Sequence, residues 1–499
     1  MTRHDGVLAF RREDHNRTLF PLTTASVLIE SSPSDIANYI YTEIDKEVDP
    51  EDQDTGEHFL AQEHAFADKS GFHLRRTLRL DPIAEFYLYD VVYRNRARFR
   101  KKPNGDRTSF GYTFSSGSVP PPSKSYREYS EAINRTLKQY KYVITCDISC
   151  YFNSIYHHDL VARFRSLVDD TDEVELFGRF FREINSGRST DCLPHGIVPA
   201  KVLGSDFLAF ADESKRVRAP IIYRFMDDFC LFSNREEQLI GDFYCLQDLL
   251  SGKGLFVNPA KTRIEETIDM RRTNAVGKRK MDLLKRRRDV VLASDGTEDD
   301  DLQEALDEGE TEYLLSLLEE ETVAEEDAEL ALTLLRNGAD DVLEHLDQIL
   351  RSFPSLAKNA YHFCGHVKDK TALANILLEF IKSDPSATEF QLFWIARTAE
   401  NYLARTAGYG DILQEIYEHE RSTIIVKAKI LECPEKRFGL PDLREAQLKS
   451  GGAGWLPWAA AVGSICEKKA NRNHLLGYFA NASPVNRVFA RIIKEHPGV

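Results

Sequence analysis

The sequence predicts a mixed α+β unit over residues 1–290 and an all-α domain over residues 330–499, joined by an acidic linker or helix at 291–329. Three observations carry that division. Residues 221–233 (IIYRFMDDFCLFS) place two apolar, aromatic-rich runs around Asp227-Asp228, the pattern of a β-hairpin. Charge then reverses abruptly: residues 271–288 hold nine Lys/Arg and one acid, whereas residues 295–329 hold 17 Asp/Glu and no Lys or Arg. Such a reversal marks a boundary. Beyond it, apolar residues recur at helical spacing in 330–335, 342–353, 372–381, 390–403 and 412–417, with polar or Gly/Pro breaks between.

In chain order, residues 33–47 (PSDIANYIYTEIDKE) predict a helix with Ser32 or Ser34 as cap and Ile36, Ile40 and Ile44 as its apolar stripe. Tyr39 and Tyr41 lie on it. An apolar helix from Pro82 leads into a basic segment, Arg94, Arg96, Arg98, Arg100, Lys101, Lys102 and Arg107, and then into Phe110, Tyr112 and Phe114 in strict alternation. The alternation predicts a strand, with Pro103-Asn104-Gly105 as the turn before it. Basic residues beside a short strand suit a triphosphate or a nucleic-acid backbone, and a cationic surface strand is the plainer alternative.

Residues 142–145 predict a buried strand ending at Asp147, with Tyr151, Phe152 and Ile155 following. A Pro/Gly loop around Pro194-His195-Gly196 leads into a helix at 205–211. Residues 251–264 (SGKGLFVNPAKTRI) give a short strand after Gly254 and then Lys261. Adjacent aspartates repel and raise each other's pKa unless a cation lies between them, and hard Mg²⁺ prefers carboxylate oxygens. Read alone, Asp227-Asp228 is equally well a turn. A strand-end acid, a helix, and two more acids 80 residues later is an arrangement suited to two-metal phosphoryl transfer.

Hydrophobic residues make up 42% of the chain and charged residues 29%, an ordinary balance for a protein in water. No apolar run is long enough for a membrane span, and the first residues lack a secretory signal pattern. Eight cysteines without CxxC pairs are expected as reduced thiols, so the expectation is a cytoplasmic protein with no membrane partner. The net charge of −15 comes from the acidic segment; the rest is nearly neutral, and its basic block 271–288 either neutralises phosphates or partners that segment. The helical tail, with Phe393, Trp394, Trp455 and Trp458 as packing residues, suggests a HEAT-like α-solenoid, although no clean period is present.

With these residues in view, the first 270 positions resemble a reverse transcriptase. FMDD at 225–228 looks like the family's motif C, DISCYF at 147–152 like motif A, and GLFVNPAKT at 254–262 like motifs D and E, in the right order and spacing. RTSFGYTF at 107–114 is similar to the fingers segment of bacterial enzymes of the abortive-infection and defence-associated groups. A helical C-terminus in place of a thumb is an AbiK-like feature.

The resemblance implies a right-hand polymerase fold of fingers and palm, with Asp147, Asp227 and Asp228 as catalytic metal ligands for Mg²⁺, or Mn²⁺ in its place. Phe152 would exclude a 2′-hydroxyl and so select dNTPs. Lys102 and Arg107 would meet the triphosphate, Ser205 the substrate, and Lys261 the leaving group. Motif B fits poorly: Pro194-His195-Gly196 stands too far upstream of Ser205, and Val198-Pro199-Ala200 lacks the usual Gln and Gly. The expected activity is therefore antiphage-defence DNA synthesis without a conventional template, primed on a tyrosine such as Tyr39 or Tyr41, yielding single-stranded DNA. The alternatives are templated synthesis on an associated non-coding RNA, and a non-catalytic scaffold with a retired palm. Family members assemble as trimers or hexamers, so a homo-oligomer is expected.

Overall fold

The computed structural model describes residues 3–46, 57–100, 105–275, 283–284, 286, 306–320 and 322–497. The chain divides into two compact units. One comprises Met1–Thr18, His58–Gln62 and Tyr87–Asp282; the other comprises Leu19–Glu57, Glu63–Phe86 and Leu283–Val499.

Among the described residues there are seven strands: β1 (Glu63–Lys69), β2 (His73–Arg79), β3 (Arg107–Phe110), β4 (Tyr142–Cys146), β5 (Ile221–Phe225), β6 (Asp228–Ser233) and β7 (Arg263–Glu266). The first unit is built on a five-stranded sheet of order β3-β5-β6-β4-β7, antiparallel except for the β3–β5 pair. Side chains alternate across a pleated sheet. Val143, Cys230 and Phe232 therefore share one face, which buries against Tyr129 and Ala132 of the helix Pro122–Thr136. The helix Glu236–Ser251 packs along β4 and β6.

The strand expected over 107–114 stops at Phe110, because Gly111 and Tyr112 turn left-handed at φ +79° and +42°. At Gly111 the close approach is what requires glycine: a Cβ there would lie 2.9 Å from the Phe225 ring. Phe114 returns only as a bridge to Arg100.

In the second unit the helices form two rows. One runs through Glu325–Leu334, Ala357–Cys364, Glu389–Thr398, Ile424–Leu431, Trp455–Gly463 and Pro484–Glu495, each packed on the next. The other runs through Leu346–Ser352, Lys370–Ser383 and Tyr409–Glu418. Trp394, Trp455 and Trp458 are buried in this packing, as the helical spacing implied.

Residues 19–57 and 63–86 belong to this helical unit and not, as the sequence suggested, to the α+β unit. Long-range bonds that no local pattern encodes place them there. Glu432 accepts from the Thr23 and Thr24 amides at 2.9 and 2.7 Å, and Glu389 accepts from the Phe66 amide at 2.8 Å. Arg491 pairs with Asp35 at 2.9 Å, and Phe20 packs edge-on to Phe390 and Phe393.

The predicted helix from Pro33 is present to Asn38 and continues as a π-helical turn, Tyr39–Ile44; Ser32 precedes it but makes no side-chain capping bond. In the acidic stretch, Glu308–Leu318 is a helix closed by an Asp307–Glu310 capping box, and Arg286 of the basic block pairs with Glu310 at 2.8 Å. Most of that basic block and all of residues 291–305 lie outside the described residues.

Candidate active site

The β5–β6 hairpin pairs Phe225 with Asp228, leaving Met226-Asp227 as a two-residue turn. β4 runs antiparallel to β6 with Cys146 opposite Phe229. Asp147, the next residue after Cys146, is thus delivered to the same sheet end as Asp228 by register alone. Asp147 is 9% exposed, and a hydrogen bond joins its carboxyl to that of Asp227. Burial, then the charges of Asp147 and Asp228, push Asp227 up to about 7. Withdrawal from solvent and the Asp147 charge push Asp228 up to about 6, with Lys261 pulling the other way. Three acids held this close resist full ionisation without a cation among them.

Lys261 supplies part of that cation. Its ammonium lies 3.0 Å from Asp147 while its side chain stays 65% exposed, and the Asp147 bond pushes its pKa up. The loop that carries it is laced to the motif A strand end: Asn258 N donates to Asp147 O at 2.7 Å, and Ser149 N donates to Phe256 O at 2.8 Å. Among the described residues no three His, Cys, Asp or Glu side chains are gathered as ready-made ligands of one metal ion. The donor set at the sheet end nevertheless suits a hard divalent ion: oxygen ligands only, excess negative charge, and one removable ammonium.

The turn itself is strained and clamped. Met226 has φ +55°, a left-handed conformation that side chains rarely adopt. Arg224, 1% exposed, donates to Met226 O at 2.6 Å and to Ser205 O at 3.0 Å, and pairs with Asp212 at 2.5 Å. Phe225 is packed by Tyr126 and Tyr129, with ring centroids 5.3 and 5.8 Å away. Reading 221–223 as an apolar run passed over Arg224. The available signal was a single guanidinium inside an otherwise apolar strand, a group that cannot be buried without a partner.

Phe152 and its neighbours form a second cluster beside the acids. Cys150, at φ +48°, turns the chain into the short helix Tyr151–Ser154. The Tyr151 hydroxyl donates to Gly204 O at 2.6 Å, and the Phe152 ring lies 4.9 Å from the His195 ring.

The remaining expected residues fall elsewhere. Lys102 lies outside the described residues. Arg107 spends its guanidinium on the carbonyls of Asp212, Ser214 and Val217, so it holds a loop and does not present an open fork to a triphosphate. Ser205 is 2% exposed within the helix Val198–Phe207, and it meets the site through its carbonyl and Arg224. Tyr39 is 5% exposed and donates to Glu57 at 3.0 Å; burial and Glu57 push its phenol up, so its hydroxyl is not presented as a primer. Tyr41 shares that π-helical turn and is half-buried.

A family model described as reverse transcriptase (RNA-dependent DNA polymerase) matches residues 101–284. No curated protein matches the chain. Similar solved structures include telomerase from Candida albicans in complex with a TWJ fragment of telomeric RNA, 12% identical with a TM-score of 0.32, covering 78% of this chain and 68% of that one. Another is apo telomerase from Candida tropicalis, 12% identical with a TM-score of 0.31, covering 79% and 72%. The family match spans every strand of the five-stranded sheet and all three acids at its end. Over residues 101–284 the chain therefore carries a domain of the reverse-transcriptase type, the class of RNA-directed DNA polymerase nucleotidyltransferases.

Proposed function

We propose that the sheet end bearing Asp147, Asp227 and Asp228 is the polymerising centre and adds dNTPs to a growing DNA strand. The observation that carries this reading is the meeting of Asp227 and Asp228, whose pKa values are raised by burial and by the charge of Asp147, with Asp147 at the same sheet end. These residues would hold Mg²⁺, with Mn²⁺ as the substitute ion, and a bound pair of ions supplies charge stabilisation at the attacking and leaving oxygens. In the reaction a hydroxyl oxygen gives up its proton to solvent and forms a bond to the α-phosphorus, while the bond to pyrophosphate breaks and pyrophosphate leaves with the electron pair. Lys261 is placed to exchange its contact with Asp147 for the departing phosphate. Phe152 bounds the sugar pocket. Arg224 keeps Asp227 at the turn.

Two finer readings differ in what is copied. The family description favours RNA-templated synthesis. The departure at motif B, His195 in place of glutamine, favours the untemplated, AbiK-like behaviour of a defence enzyme. Priming would then fall to a tyrosine other than Tyr39. The two helical rows support the HEAT-like description of the second unit and offer a surface for homo-oligomers. Among the described residues no helix is long and apolar enough to cross a membrane.

Purified protein given labelled dNTPs and Mg²⁺ is expected to make DNA. No product from the wild type, or undiminished product from Asp227→Ala, overturns the proposal. Product sequence that follows a copurifying RNA, and product lost after ribonuclease treatment, selects the templated reading. DNA found covalently attached to a tyrosine by mass spectrometry selects the other.

A further inference from the structure

His195 stands where motif B departs from the family pattern, and its surroundings give it a defined task. Asn153 Nδ2 donates to Asp191 Oδ1 at 2.5 Å, so the amide oxygen of Asn153 faces His195 and accepts from His195 Nε2 at 2.9 Å. The imidazole thus carries its proton on Nε2. The backbone doubles this link: Asp191 N donates to Asn153 O at 3.0 Å, with Asp191 left-handed at φ +62°. Gly196, at φ +88°, lets the chain turn directly from His195 into the helix Val198–Phe207. The ring so fixed lies against Phe152, with centroids 4.9 Å apart and planes tilted by 38°.

Phe152 is bounded on another side by Gly204 of that helix. A Cβ there would lie 3.4 Å from both the Phe152 and Tyr151 rings, an ordinary contact distance, so the helix passes directly beside them. Tyr151 is tied to the same glycine through its hydroxyl. The half-buried Phe152 ring is therefore bounded by the Tyr151 ring, by the helix backbone at Gly204 and by the His195 ring.

We propose that His195, fixed by Asn153 and Asp191, is a specificity-determining positioning residue that sets the Phe152 ring angle and through it the rejection of ribonucleotides. The inference rests on the reading of Phe152 as a wall of the sugar pocket. His195 acts through Phe152 and touches no reacting atom. Truncating it lets the ring swing aside and opens room for a 2′-hydroxyl, while the carboxylates stay where the β4–β6 register puts them.

The test compares kcat/KM for dNTPs and rNTPs in the full-length wild type, His195→Ala, His195→Phe, Asn153→Ala and Phe152→Val. His195→Ala is expected to raise the rNTP/dNTP ratio about two- to tenfold, the worth of one ring–ring contact, with kcat for dNTPs nearly unchanged. His195→Phe, which keeps a flat ring but loses the bond to Asn153, should give a ratio between those of the wild type and His195→Ala. Asn153→Ala should raise it in the same direction, and it provides a second route if His195→Ala folds poorly. A raised ratio in Phe152→Val with no change in either His195→Ala or Asn153→Ala overturns the role of His195 and leaves the sugar-pocket reading intact. An unchanged ratio in Phe152→Val overturns that reading as well.

Discussion

Two buried charge clusters, one in each unit, are built on opposite principles. In the α+β unit, Asp147, Asp227 and Asp228 meet with one partly exposed ammonium, Lys261, and Asp227 and Asp228 are left with raised proton affinity. In the helical unit, Lys429 is buried between Glu400 and Glu432, the latter at 2.7 Å. Burial works against the Lys429 ammonium, but the two glutamates more than offset it and raise its pKa. Glu432 also accepts from the Thr23 amide and from the Thr24 amide and hydroxyl. The second cluster has partners on every side and holds residues 19–57 in place. The first is left short of positive charge, which is what the proposed metal site requires. Perturbed charge of this kind is a pointer to function, and satisfied charge to architecture.

The comparison can be broken at either end. Asp227→Asn is expected to cut nucleotide incorporation at least about 100-fold while raising the melting temperature of metal-free protein, because it removes one of the repelling charges. Incorporation assays paired with thermal melts check both signs, and a fall in both would make Asp227 a structural residue. Lys429→Met should do the reverse. It leaves buried Glu432 and half-buried Glu400 facing each other without the ammonium between them, at a cost of about 3–5 kcal/mol in urea denaturation, with incorporation per folded molecule unchanged.

A smaller effect follows from pH. Asp227 and Asp228 titrate at about 7 and about 6 in the folded chain, above the value near 4 of an unfolded aspartate. The folded state therefore binds extra protons between those values, and the stability this confers is lost as pH rises through 6 and 7. Metal-free protein should melt lower at pH 8 than at pH 5.5 by more than Asp227→Asn does, and millimolar Mg²⁺ should narrow the gap. Identical pH profiles for the wild type and Asp227→Asn, or no response of the wild type to Mg²⁺, would count against the cluster.

The smallest expected effect lies in the helical unit. Burial, then Lys358, Arg336 and Arg397, push His362 down to about 3. An unfolded histidine takes up its proton near 6.5, so stability should fall as pH drops below that value. His362→Gln should flatten this slope between pH 6.5 and 4 in thermal melts.

The acids of the site were legible because their geometry is local. A two-residue turn fixes Asp227 and Asp228, and a strand-end position fixes Asp147. Arg107 was misjudged for the opposite reason: a run of basic residues does not say which guanidinium is already committed to carbonyls, here those of Asp212, Ser214 and Val217. Arg224 escaped because its partner Asp212 and the carbonyl of Ser205 come from another stretch of chain. The division into units was misplaced at residues 19–57 and 63–86 because Glu432 and Glu389, which anchor them, are over 300 residues away. Alternation over Phe110, Tyr112 and Phe114 gave a strand too long, since periodicity is blind to the left-handed backbone at 111–112.

The clamp on Met226 has a consequence for the life of the protein before it is finished. A left-handed methionine costs roughly 1–3 kcal/mol, and a lone hairpin has no means of sustaining it. The turn closes only when Arg224 is sealed in with Asp212 and the helix carrying Ser205. A nascent, truncated or partly melted chain would therefore carry all three aspartates without presenting them together. Competence arrives late, as a property of the completed core, and damage to that core disarms the chemistry before it exposes it.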